Sequence, residues 1–154
     1  MIVELDLQNA TTFAVPESAR FNAWVTQALR PFTEQAVLTL RLVESAEMQQ
    51  LNQQFRAQDR ATNVLAFASQ MPEPFKAHFL GDILICAEVV EQQAKEQHKA
   101  VLAHWAHLTV HGTLHLLGFD HITPEQAKIM ERHEQHILAQ LGFPNPYLEV
   151  DNEG

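Results

Sequence analysis

The chain reads as a single α+β domain, a small mixed sheet packed against helices. Three observations predict this. Its 154 residues are 46% hydrophobic, enough for one core and too few for two comfortable ones. Runs with period-two alternation of apolar and polar residues cluster in the first half. Longer stretches with helical spacing fill the second half, and no repeat, low-complexity tract or linker divides residues 1–154.

Residues 2–8 alternate as a half-buried strand. Pro16, Glu17 and Ser18 open a helix whose apolar positions Phe21, Trp24, Val25 and Leu29 share a face, and Pro31 closes it. Residues 36–43 alternate again. Ser45 is the expected cap of a helix running through Met48, Leu51 and Phe55. Arg56 to Arg60 is a polar break, Asn63 to Ala68 a third strand, and Pro72 and Pro74 mark a loop. Asp82 to Cys86 is a fourth strand, preceded by Gly81 as a turn residue. A helix over 87–97 shows Glu91, Gln92, Lys95 and Glu96 to solvent. A longer helix runs from about Lys99 to Leu117, where Gly118 supplies a left-handed cap. Thr123, Pro124 and Gln126 form a capping box for a last helix ending near Leu141. The tail from about 144 is polar and expected to be loosely ordered.

No apolar stretch approaches the roughly 20 residues of a membrane span. The first residues carry Glu4 and Asp6 where a signal peptide would be basic, so the reading is a soluble cytoplasmic protein with no membrane partner. The lone cysteine, Cys86, ends an apolar run and reads as a buried structural thiol in a reducing compartment. Ten basic against nineteen acidic residues give a net charge of −9. That argues against broad, non-specific nucleic-acid binding but leaves room for a local basic strip.

Histidine is the outlier: nine residues, five of them between His104 and His121. His111 and His115 are four apart on the predicted helix and so share a face. Gly118 lets the chain swing back and bring His121 to the same point. Three histidines leave a fourth position open, as catalytic zinc sites do. The spacing H-x-x-x-H-x-x-G-x-x-H matches the ligand pattern of metzincin proteases, but the glutamate that serves those enzymes as general base is replaced by Gly112. The expectation is one zinc ion on His111, His115 and His121 and a hydrolytic activity; imidazole also suits nickel, copper or iron. His104 and His107 read as structural or as supports of the ligands. Asp120 either orients a ligand ring or supports its turn. His133 and His136, among Glu131, Arg132, Glu134 and Gln135, read as solvent-facing, and His78 and His98 as exposed.

The segment His111–His121, with Ala103–His107 before it, resembles the signature of the YbeY endoribonucleases, bacterial enzymes of ribosomal RNA maturation. Arg56 followed by Thr62-Asn63-Val64-Leu65, and Gly81 through Cys86, are similar too, and the likeness runs from the first strand to Tyr147. The resemblance implies a zincin-like α+β fold, zinc on His111, His115 and His121, and cleavage of single-stranded RNA in small-subunit 3′-end maturation and ribosome quality control. It places the family's functional arginine on Arg56, which from its surroundings alone reads as a surface residue. RNA is the implied partner, the ribosome and its proteins further ones, and no DNA is expected. Ala66 and Ala68 stand where the family usually has Ser and Pro, and Phe119 where it commonly has Tyr. A metallopeptidase-like hydrolase and a non-catalytic zinc-containing ribosome assembly factor are the competing readings. A basic strip of Arg56, Arg60 and Lys76, or delivery by basic ribosomal proteins, would reconcile RNA with the acidic charge.

Overall fold

A computed structural model describes residues 1–56, 62–70 and 79–148. The elements follow in the order β1 (Ile2–Asn9), α1 (Ser18–Leu29), β2 (Gln35–Val43), α2 (Ser45–Arg56), β3 (Val64–Ala68), β4 (Phe79–Cys86), α3 (Ala87–Glu96), α4 (Val101–Leu116) and α5 (Pro124–Gln140). The four strands form one mixed sheet in the order β1-β2-β4-β3. β1 and β4 both run parallel to β2, and β3 lies antiparallel to β4 at the edge. Among the described residues no helix is long and apolar enough to cross a membrane.

The alternation of β2 explains the layering. Ala36, Leu38, Leu40 and Leu42 point to one face and are fully buried with Phe21, Trp24, Ile83, Ile85, Trp105 and Leu114 in the main core. Each such large side chain contributes about 1.5–3 kcal/mol on leaving water. Phe21 packs edge-on against both Trp24 and Trp105, at 5.3 and 5.6 Å between ring centroids. The opposite face carries a smaller core of Val43, Met48, Leu65, Leu84 and Cys86 beneath α2. Cys86 is buried there, away from the histidines of α4.

Helix α4 is the centre of the molecule, packing against α1, α3, α5, β3 and β4. Its buried residues run all round it rather than along one stripe. Gly112 permits the close approach to the sheet, since a Cβ there would lie 2.8 Å from Ile83 Cγ2. Gly118 follows the helix with φ +104°, and Phe119 N–H closes back onto Leu114 O at 3.1 Å, as a glycine-ended helix does. At α5 the capping box of Thr123 and Gln126 forms as expected, with Pro124 in the first turn.

Several local expectations are corrected. Ser45 is the first helical residue of α2 rather than a cap, and its N–H donates to Glu88 Oε1 at 3.0 Å. Gly81 lies inside β4, not before it: β3 crosses so closely that a Cβ would meet Phe67 O at 2.1 Å. At the end of α2, as the sequence places it, Phe55 is 56% exposed and touches Phe67. The segment after α5 makes specific contacts as far as Tyr147. Lys99 Nζ donates to Pro146 O at 3.1 Å, and Tyr147 reaches the interior. Pro72, Pro74, Arg60, Lys76, His78 and residues 149–154 lie outside the described residues.

His104 is structural, as expected. Only 4% exposed, it donates Nε2–H to Gln93 Oε1 at 2.9 Å, leaving Nδ1 as a buried acceptor. Burial, with His107 and Lys99 nearby, pushes its pKa down to about 4. The folded protein therefore prefers neutral His104, and the stability this gives is complete above pH 6.5 and is lost as pH falls towards 4. Stability measured by urea titration across that window should slope downward with acid, and a His104→Gln variant should show a shallower slope; equal slopes would refute the assignment.

Candidate metal centre

Helical spacing brings His111 and His115 together on α4, with ring centroids 4.7 Å apart. The turn released by Gly118 brings His121 to within 5.4 Å of the first and 5.1 Å of the second. One ligand atom from each of the three lies within 4.8 Å of the others, so the trio is able to hold a metal ion. Asp120 Oδ1 accepts the His121 backbone N–H at 2.7 Å, while His121 Nδ1 is 3.9 Å from it. Asp120 thus supports the turn and does not hydrogen-bond the ring.

The group that orients the His111 ring is Glu134 of α5, to which the sequence pattern assigns no role. Glu134 is fully buried, and its Oε2 lies 2.7 Å from His111 Nδ1. His107 Nε2 is 3.3 Å from the same oxygen, and Tyr147 donates its hydroxyl to Oε1. Burial alone would raise the Glu134 pKa; hydrogen bonds from His107 and His111 reverse this and hold it at about 2. An ionised carboxylate only accepts, so His111 Nδ1 donates to it, which leaves Nε2 as the ring nitrogen available on the side of His115 and His121. The His115 pKa is lowered to about 4 by burial and then by its two histidine neighbours, which keeps that ring neutral and ready to ligate at neutral pH. Imidazoles with a carboxylate behind one of them are a donor set that suits a transition-metal ion. His107, His111 and Glu134 form a second group within the same distance limit, sharing His111 with the first.

Glu134 had a signal. Met130, Glu134, Ile137 and Leu138 fall at i, i+4, i+7 and i+8, so the carboxylate sits in the buried stripe of α5. His133 is also not solvent-facing: its ring packs 4.8 Å from Phe119 and 5.2 Å from Phe32. Phe119 itself faces that aromatic cluster and touches Phe32 at 5.2 Å.

The trio opens onto a cleft of about 490 Å³. One wall is β3 and the residues before it, Thr62 to Ala66; the other is His111, Gly112, His115 and Asp120 to Ile122. Asn63 is held by Gln93 at 3.0 Å, the same oxygen that accepts from His104, so the wall is tied to α4. Arg56 stands at the rim, its Nη2 donating to Ala66 O at 3.1 Å and its guanidinium 5.3 Å over the Phe67 ring.

Fold and site together define an α+β domain with three histidines, able to hold a metal ion, in the wall of a cleft. The family model described as Endoribonuclease YbeY matches residues 6–142. The chain belongs to the YbeY family. Curated relatives named Endoribonuclease YbeY include one from Pseudomonas entomophila and one from Pseudomonas putida, each 48% identical over 153 residues, covering 99% of this chain and 98% of theirs. The solution structure of TM1509 from Thermotoga maritima shares the fold, with a TM-score of 0.58 at 23% identity and 99% coverage of both chains.

Gly112 also answers the comparison with metzincins. The position of their glutamate is pressed against Ile83 and Val64, with no room for a side chain. Alanine there should gain about 1 kcal/mol of helix propensity but lose about 1–3 kcal/mol to overpacking against stiff, buried Ile83. Gly112→Ala should therefore lower Tm by a few degrees in calorimetry, and Gly112→Glu by more, without creating caseinolytic activity. An unchanged or raised Tm for both would contradict the packing.

Proposed function

We propose that the protein is a zinc-dependent, single-strand-specific endoribonuclease acting in the cytoplasm on ribosomal RNA, with His111, His115 and His121 as the zinc ligands. The observation that carries the reading is the oriented three-histidine centre facing a cleft with Arg56 at its rim, in a chain of the YbeY family. When bound, zinc polarises a phosphoryl oxygen and acidifies water, two contributions that phosphodiester cleavage needs.

The protein's own groups supply the rest. Arg56 binds the phosphate, since a guanidinium presents paired donors to its oxygens. Asp120 is the carboxylate in the cleft wall among the described residues, and it receives the proton released by the attacking oxygen. β3 forms an extended wall along which an unpaired strand can lie. Small-subunit 3′-end maturation and ribosome quality control are the settings that the family relationship suggests, with ribosomal proteins as partners that offset the net charge of −9.

Purified wild-type protein should carry near-stoichiometric zinc and cleave unstructured RNA, and His115→Ala should lose both. Equal cleavage by the two preparations would assign the activity to something else. Arg56→Ala should keep zinc and stability, because the residue is exposed, but reduce kcat/KM about 10- to 100-fold, as loss of a charged hydrogen bond does. Asp120→Asn retains an acceptor for the His121 amide, so it should keep zinc while kcat falls about 100-fold or more; full activity would remove Asp120 from the mechanism.

A further inference from the structure

We propose that Tyr147, carried by the segment beyond α5, is a positioning residue of the metal centre, acting through Glu134 on His111. The proposal rests on the reading of His111 as a metal ligand. Four side chains meet in a closed network. Glu134 arrives from α5 fully buried, and His107 and His111 arrive from successive turns of α4. Tyr147 arrives from outside both helices and donates to Glu134 Oε1. His107 Nε2 sits 3.2 Å from Tyr147 Oη and 3.3 Å from Glu134 Oε2, so it bridges both. The His107 and Tyr147 rings stack edge-on at 5.3 Å.

The consequence lies in how the carboxylate divides its two oxygens. Oε2 holds the Nδ1 proton of His111, and Oε1 is held by the phenol. A carboxylate fixed at one oxygen only is free to rotate about its terminal torsion, a broad and soft one. Rotation would move Oε2 off the His111 proton and release the ring to its other tautomer, whose Nε2 carries a proton and cannot ligate. The phenol therefore does for the carboxylate what the carboxylate does for the imidazole. Such supports of a ligand typically contribute 10- to 100-fold to metal affinity.

The docking of the segment is specific. Lys99 Nζ binds Pro146 O at 3.1 Å, and Tyr147 N–H binds Asn145 Oδ1 at 2.9 Å, so the phenol is delivered by a short fixed turn. No residue of this turn lines the cleft, so Tyr147 reaches His111 only through Glu134, which it shares with that ring, and through His107 beside it.

The test uses the full chain. Tyr147→Phe keeps the ring and its packing and removes only the hydroxyl. In competition with a zinc chelator, its zinc Kd should rise about 5- to 20-fold, and Glu134→Ala should exceed that, towards 100-fold. Nitrogen-15 spectra of the metal-free proteins read the His111 tautomer directly. Wild type should show the Nδ1–H form, and Tyr147→Phe a mixture with the Nε2–H form. A packing role alone would lower Tm in Tyr147→Phe without moving the tautomer or the Kd. An unchanged tautomer with Kd within twofold of wild type would overturn the proposal. If wild type itself binds no zinc, the ligand reading fails, and the tautomer comparison still decides whether Tyr147 sets the His111 ring.

Discussion

Everything at the site depends on helix α4 lying flush against the sheet. That contact is possible because position 112 has no side chain, where a Cβ would come within 2.8 Å of Ile83. The helix is therefore sunk into the protein and buried around most of its circumference. Sinking it turns His111 and His115 towards the cleft between α4 and β3 instead of towards bulk solvent. It also sets α5 alongside, so that a buried carboxylate can reach the back of the His111 ring. A helix held by one apolar stripe would leave room for a catalytic side chain at position 112 and would lose that depth.

The electrostatics follow from the same burial. Glu134 is a negative charge with no exposure, tolerable because His107, His111 and Tyr147 all donate to it. The three imidazoles facing the cleft bring no negative charge, so a divalent ion held there would keep its positive charge directed at the cleft. A strongly acidic protein can in this way present an attractive field at the place where a phosphodiester must bind. Arg56 at the rim adds to that field.

Much of this was legible in the residues because it is encoded at short range. Helical spacing announced His111 and His115, Gly118 announced the return to His121, and the Thr123–Gln126 box announced α5. The alternation of β2 announced its two faces. What was missed is long-range or depends on context. Glu134 lies 23 residues from His111, amid charged neighbours that masked its place in a buried stripe. Tyr147 is 40 residues from His107, in a tail whose composition suggests disorder. Gly81 has the signature of a turn, and only the close passage of β3 shows why a strand needs it. Only the family resemblance singles out Arg56, since its own surroundings in the sequence describe an ordinary surface residue.

The proposed centre is one zinc ion on three imidazoles with an open fourth position. Zinc K-edge X-ray absorption on the purified protein tests it most directly. The expected spectrum has nitrogen and one further oxygen bound at about 2.0–2.1 Å, with outer-shell scattering that fits three imidazoles. Sulfur scattering at about 2.3 Å, a shell closed by four protein ligands, or no bound zinc would contradict it.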